Sequence, residues 1–282
     1  MTSLDLTTPL VTVDWLLEHI DHPDLVVLDA SIKKVTSTEN NDNLQIQIPG
    51  ARFFDIKNSF SDLHVDVPNM LASPKVFEEN CRKIGIKSTS KIIVYDTLGI
   101  YSSPRAWWMF RAMGIDTVAV LDGGLPEWIK SGYPTENRGV EENYDAGDLK
   151  VNDRSKYMVS AKDIISGMTD PNVRILDARS IGRFKGIEPE PRAGLKGGHI
   201  PNSINLPYTK VLNNGKMLPV QTLNEIFDDF DIENKKLIFS CGSGITACII
   251  LLAAKLSGYK NLSVYDGSWS EWGQLKNVPI VC

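Results

Sequence analysis

Cys241 closes an apolar run, Lys236-Leu-Ile-Phe-Ser240, and opens a loop of small residues, Gly242, Ser243, Gly244, Ile245 and Thr246. That loop runs straight into an apolar stretch of helical character from Ala247 to Ser257. A cysteine between a strand end and a helix start faces main-chain N–H groups and the positive end of the helix dipole, an environment that favours thiolate over thiol. The arrangement predicts a nucleophile. Packing is the competing explanation, because free cysteine is among the most commonly buried residue types. Two glycines within three residues of the sulfur favour chemistry, since they permit the close backbone approach that binding an anion requires. A phosphatase would use the same kind of strand-to-helix cysteine loop, but it needs an arginine six positions on to clamp phosphate, and Ala247 stands there.

The other cysteines carry no such signal. Cys248 falls seven residues after Cys241, two helical turns away, and is expected to be buried and unable to pair with Cys241 without distortion. Cys81 and Cys282 are read as incidental. The four cysteines show no C-x-x-C and no zinc-type spacing, so reduced thiols and no metal are expected.

These residues must be held by a scaffold, and 282 residues suffice for two domains of ordinary size. Hydrophobic residues at 42% and charged residues at 23% are ordinary globular values, against disorder or a coiled coil. A formal net charge of −5 without clustered lysine and arginine disfavours nucleic acid or an anionic membrane as partner. The first residues lack a basic flank and an apolar core, and no run of about 18 apolar residues occurs, so a cytoplasmic protein is expected.

The two halves repeat one pattern. Leu28-Asp-Ala-Ser31 recurs as Leu176-Asp-Ala-Arg179, Ile48-Pro-Gly-Ala51 as Ile200-Pro-Asn-Ser203, Lys91-Ile-Ile-Val-Tyr-Asp96 as Lys236-Leu-Ile-Phe-Ser-Cys241, and Leu121-Asp-Gly-Gly-Leu-Pro-Glu-Trp128 as Tyr265-Asp-Gly-Ser-Trp-Ser-Glu-Trp272. The order is kept, at offsets from 144 (Leu121 to Tyr265) to 152 (Ile48 to Ile200), which marks a duplicated domain. In each copy short Val/Ile/Leu runs (26–29, 92–95, 118–121; then 174–177, 237–240, 262–265) alternate with helical stretches. That alternation predicts an α/β fold in which each copy is a parallel sheet with helices on both faces, ligands lying beyond the carboxyl ends of the strands. The boundaries read as 1–135, a linker at 136–156 poor in large apolar residues, and 157–282. Asp96 stands where the second copy has Cys241, so the first copy is expected to be catalytically inactive.

The loop Cys241-Gly-Ser-Gly-Ile-Thr-Ala247, with the tandem Asp-Ala-Arg, Gly-His-Ile-Pro and Tyr-Asp-Gly-Ser-Trp-x-Glu-Trp motifs, resembles the two-domain rhodanese superfamily, and within it most of all the 3-mercaptopyruvate sulfurtransferases. The likeness covers nearly the whole chain and implies tandem rhodanese-like domains. It also implies a double displacement in which Cys241 takes a sulfane sulfur from a small-molecule donor, releases pyruvate, and passes the sulfur to cyanide or to a thiol such as thioredoxin or a small thiol. The scheme requires no metal or organic cofactor. Thiosulfate-preferring members typically carry arginine and lysine in the second and third loop positions, where this chain has Gly242 and Ser243. A thiosulfate:cyanide sulfurtransferase and a sulfur-carrying module of low turnover are the alternatives.

A donor with a carboxylate and a ketone calls for two-pronged cationic groups. Arg183 and Arg192, in Gly182-Arg-Phe-Lys-Gly-Ile-Glu-Pro-Glu-Pro-Arg192, match the family's substrate-binding positions, with Lys185 and Arg179 as possible helpers. Ser243 is a proton relay or hydrogen-bond donor by the resemblance, and a helix N-cap by composition alone. The family groups that serine with a histidine and an aspartate of the first domain. Here Asn69 and Lys57 take those positions, which puts the relay in doubt, with His64 as a substitute only if its loop shifts. His199 reads as structural, and Trp107 and Trp108, at helical spacing after Pro104-Arg105, are expected to pack between the domains. Trp269 and Trp272 are expected to close the back of the second domain, and Arg105 has the reach to approach the ligand.

Overall fold

The computed structural model describes residues 4, 6–34, 45–139, 144–152 and 157–282. The chain divides into two compact units, one formed by 1–61, 72–153 and 214–216, the other by 62–71, 154–213 and 217–282.

In the first unit the order is β1 (Leu10–Val11), α1 (Val13–His19), β2 (Leu25–Asp29), β3 (Ile46–Gln47), β4 (Arg52–Phe53), α2 (Pro74–Lys83), β5 (Lys91–Tyr95), α3 (Ser103–Ala112), β6 (Val118–Leu121), α4 (Gly124–Lys130) and β7 (Glu136–Asn137). The second runs β8 (Met158–Val159), α5 (Ala161–Gly167), β9 (Val173–Asp177), α6 (Ile181–Phe184), β10 (Ser203–Asn205), β11 (Leu212–Asn213), β12 (Lys216–Met217, of which Lys216 is assigned to the first unit), α7 (Val220–Asp228), β13 (Lys236–Ser240), α8 (Ala247–Leu256), β14 (Leu262–Tyr265) and α9 (Ser268–Trp272). Each unit holds a five-stranded sheet, ordered β1-β6-β5-β2-β4 in the first and β10-β9-β13-β14-β8 in the second. Read from the same edge these are one topology, and every pairing in both is parallel.

All six Val/Ile/Leu runs are strands, within a residue of the expected bounds. The edge strands β1, β4, β8 and β10 were not foreseen: two or three residues carry no period, and the neighbouring strand alone makes them strands. The interior strand β13 buries Leu237, Ile238 and Phe239, and α8 buries every residue from Ala247 to Ala254. A helix apolar on all sides belongs in a core, and each fully buried Ile, Leu or Phe contributes about 1.5–3 kcal/mol. That burial fixes where α8 begins, and with it the loop that β13 feeds.

Of the segment read as linker, 140–143 and 153–156 lie outside the described residues. Glu136 and Asn137 pair with Gln47 and Ile46 as β7, while the N–H groups of Gly147, Leu149 and Asn152 donate to the carbonyls of Arg82, Ile86 and Met113. Residues 136–139 and 144–152 thus belong to the first unit, held by main-chain bonds that few apolar side chains would announce.

In the first unit the strand-end loop surrounds an aspartate. The Asp96 carboxylate accepts from the N–H groups of Leu98, Tyr101, Ser102 and Ser103 at 2.8–2.9 Å and from the Ser103 hydroxyl at 2.7 Å. Burial raises the pKa of this carboxyl, and the hydrogen bonds pull the other way. Asp96→Ala leaves four N–H donors unmatched in the interior and is expected to destabilise the protein by about 3 kcal/mol or more, measured by chemical denaturation; a change within about 0.5 kcal/mol refutes the account of this loop.

Candidate active site

Cys241 follows the last residue of β13 and is 2% exposed. Its N–H donates to Ser268 Oγ at 3.2 Å and its carbonyl accepts from Trp269 N–H at 3.0 Å. The Gly242 carbonyl accepts from the N–H of Ser270 at 2.8 Å and from its hydroxyl at 2.6 Å. The start of α9 therefore clamps the main chain on both sides of the sulfur. Ser268 adopts a left-handed backbone (φ 48°), uncommon for serine, and its hydroxyl donates to the Tyr265 carbonyl at 2.8 Å. Gly244 turns the loop at φ 76°, and the Cys248 thiol, fully buried, donates to its carbonyl at 3.3 Å.

The cationic side of the site is built from a chain of buried charges. Asp177 ends β9 beside Ser240 and binds Arg179 through both carboxylate oxygens, the shortest contact being 2.6 Å. Arg179 donates from Nη1 to Glu190 at 2.8 Å and from Nη2 to the Gly198 carbonyl at 2.8 Å, and lies over the Trp269 ring at 4.2 Å. Burial opposes its charge, but the two carboxylates outweigh burial and its pKa stands above the ordinary value. Glu190, with a side chain 2% exposed, passes the support on, accepting from Arg183 Nη2 at 2.5 Å and from Nε at 3.2 Å. Arg183 Nη2 then stands 2.9 Å from where a Cβ on Gly242 would be. A side chain at 242 would require the end of the arginine to shift.

Arg192 donates to Ser243 Oγ at 3.3 Å and to Ser270 Oγ at 3.4 Å, and Asn69 Nδ2 donates to Ser243 Oγ at 3.0 Å and to the Ser243 carbonyl at 3.2 Å. The structure thus gathers Cys241, Gly242, Ser243, Gly244, Ile245, Thr246, Arg183 and Arg192 in the second unit. Ser243 is not a helix cap: Thr246 holds that position in α8 and makes no side-chain cap bond.

Several expectations are corrected. Arg179 is no substrate helper, because its guanidinium is enclosed by Asp177, Glu190 and Gly198. Lys185 ends α6 with an exposed side chain. Trp269 lies under Arg179 and anchors Cys241, so it supports the site instead of the back of the domain; its Nε1 donates to the Lys196 carbonyl at 2.9 Å. Arg105 is fully buried over the Trp108 ring at 4.5 Å. His199 is structural as expected, its ring stacked on Phe184 and its Nδ1 2.8 Å from the Phe184 carbonyl. Lys57 and His64 are exposed. Residues missed from sequence are Glu190, Ser268 and Ser270. The two prolines flanking Glu190 were the available signal, since they fix the backbone on either side of a buried carboxylate.

Comparison with known proteins identifies the family. The family model for the rhodanese-like domain matches residues 12–131 and again 160–275. The chain is 36% identical over 278 residues to the 3-mercaptopyruvate sulfurtransferase of Escherichia coli K12, covering 97% of this chain and 98% of that protein. It is also 36% identical to the thiosulfate sulfurtransferase of Rattus norvegicus, covering 93% and 91%. The crystal structure of the E. coli 3-mercaptopyruvate sulfotransferase SseA superposes with a TM-score of 0.83 at 34% identity, covering 93% of this chain and 99% of that one. The chain belongs to the rhodanese family, with two rhodanese-like domains, and is a sulfurtransferase, an enzyme that moves sulfur-containing groups. Among the described residues no helix is long and apolar enough to cross a membrane.

Glu190→Ala leaves two guanidinium groups without their shared carboxylate. It is expected to cost about 3–5 kcal/mol in chemical denaturation; a loss under about 1 kcal/mol means the charge chain does not hold the arginines.

Proposed function

We propose that this enzyme transfers sulfur from 3-mercaptopyruvate through a persulfide on Cys241. The reading is carried by one observation: Arg183 and Arg192 converge on an uncharged loop that Cys241 opens. In the first step the Cys241 sulfur attacks the donor's sulfur and the C–S bond breaks. The electron pair of that bond passes to the donor's methylene carbon and onto the neighbouring ketone as an enolate, which takes a proton on carbon and leaves as pyruvate. In the second step cyanide or a thiol attacks the outer sulfur, and the Cys241 sulfur departs with the electron pair of the S–S bond. The arginines hold the donor's carboxylate and developing oxyanion by two-pronged, charge-assisted hydrogen bonds, and the Ser243 hydroxyl supplies a further donor.

The first unit is proposed to be the inactive copy: a carboxylate at Asp96 fills the position of the sulfur and saturates the loop around it. Thiosulfate is the lesser donor in this reading. The loop itself carries no positive charge at 242 or 243, where a small dianion would favour it, and Arg183 brings its charge from α6.

Exposure to 3-mercaptopyruvate without acceptor should add one sulfur, located on Cys241 by peptide mass spectrometry, and Cys241→Ser should abolish both the adduct and turnover; transfer persisting in that variant removes the cysteine from the mechanism. Arg183→Ala and Arg192→Ala should each raise the KM for 3-mercaptopyruvate by about tenfold or more, with a smaller change for thiosulfate, which has no carboxylate. Equal losses on both donors would assign the arginines to structure.

A further inference from the structure

We propose that Asn69 is a positioning residue for sulfur transfer, holding the Ser243 hydroxyl so that its hydrogen is delivered to an oxygen of the donor; this rests on the reading of the site as one for a thiol-bearing 2-oxo acid. Asn69 lies in the 62–71 segment, which packs as part of the second unit. The segment is fastened there by Leu71, whose N–H donates to the Asp266 carboxylate at 2.7 Å, and closes on itself through Asp62 N–H to the Met70 carbonyl at 2.7 Å. The Asn69 backbone is left-handed (φ 63°), a conformation that asparagine adopts more readily than most residues.

The hydrogen-bond directions follow from what each group is able to do. Asn69 reaches the main-chain carbonyl of Ser243, and a carbonyl oxygen only accepts. The side-chain amide must therefore present its NH2, and the same NH2 is the donor 3.0 Å from Ser243 Oγ. Arg192 Nη2, 3.3 Å from the same oxygen, also only donates. Two donors occupy the two lone pairs of Oγ, and the hydroxyl hydrogen is left to point away from both. Among the described residues no acceptor receives it. Ser243 is 8% exposed, so this O–H is a fixed donor on the loop that Cys241 opens.

Neither an amide NH2 nor a guanidinium takes a proton from a serine hydroxyl, so Ser243 acts here by donating a hydrogen bond and not by relaying a proton. The charge that develops during sulfur transfer sits on the ketone oxygen, one carbon from the breaking C–S bond. A donor oriented before the reaction stabilises that charge without reorganising at the moment of transfer. Asn69 acts through Ser243 and touches neither sulfur nor substrate in this scheme.

The test is steady-state transfer from 3-mercaptopyruvate to cyanide in wild type, Asn69→Gly, Asn69→Asp, Ser243→Ala and the two double variants. Asn69→Gly keeps the left-handed backbone and removes the amide. Asn69→Asp keeps the shape but sets an acceptor against Oγ, drawing the hydroxyl hydrogen inward. Each single change at 69 should lower kcat about tenfold with KM altered less than about twofold, and neither should add a loss to Ser243→Ala. Losses that are the same with and without the hydroxyl, or kcat within about twofold of wild type, overturn the proposal. Normal wild-type turnover with silent changes at 69 defeats this inference alone; a wild type that takes no sulfur from 3-mercaptopyruvate defeats the reading of the site on which it stands.

Discussion

The site depends on a chain of alternating buried charges that starts at a strand end and finishes at the cysteine loop: Asp177, Arg179, Glu190, Arg183. Taking such groups out of water costs several kcal/mol per ion, and the cost is met only where every charge has partners of good geometry. Here Asp177 stands at the carboxyl end of β9, in register with Ser240, so the chain is anchored to the same sheet edge from which Cys241 emerges. Position is thereby transmitted from backbone to guanidinium without a flexible step. Arg179 serves as a strut, and this explains why the arginine nearest the Asp-Ala-Arg motif is the one least available to a substrate.

The duplicated architecture shows what that chain adds. Asp29 of the first unit is the counterpart of Asp177, but its neighbour two residues on is Ser31, and its charge is met by Arg138 from beyond the sheet. The strand-end loop of the first unit keeps its anchoring, with Leu125 N–H donating to the Asp96 carbonyl as Trp269 N–H does to that of Cys241. The same backbone scaffold therefore holds an internal carboxylate in one copy and a thiol in the other. Main-chain N–H groups close on an anion supplied by the chain itself at Asp96, an illustration within this molecule of what such a loop binds.

Much of this was legible in the sequence because its physical causes are local. Interior parallel strands must be continuous apolar runs, and a helix starting after Cys241-Gly-Ser-Gly announces itself by composition. The two-residue edge strands were invisible because a neighbouring strand, not their own residues, makes them. Glu190 could be noticed as part of an unusual Glu-Pro-Glu-Pro-Arg segment, but its bond to Arg179, eleven residues back, needs the fold. Asn69 is the extreme case: 174 positions separate it from Ser243, and its segment belongs to the unit formed mainly by the other half of the chain. Sequence reasoning saw only that the expected histidine was absent. It could not see that an amide in its place still reaches the hydroxyl.

In the proposed reading, donor choice follows from where the positive charge is held. A Cβ at 242 would stand 2.9 Å from the Arg183 guanidinium, so a side chain there requires the end of Arg183 to shift. A site of this family can hold its charge on the loop or on the helix before it, and this chain has taken the second course. Charge on the loop is concentrated close to the sulfur and suits a compact dianion. Arg183, held by Glu190, and Arg192, shared between Ser243 and Ser270, bring their charge to the loop from two separate segments of the chain. In the proposed reading, two cations brought in from outside the loop suit an anion whose carboxylate is separate from its transferable sulfur, as in a 2-oxo acid bearing a thiol on its third carbon. The Ser243 hydroxyl is left, in the proposed scheme, to donate to the oxygen on which charge develops, a contact that is stronger in the transition state than in the ground state and so acts on kcat.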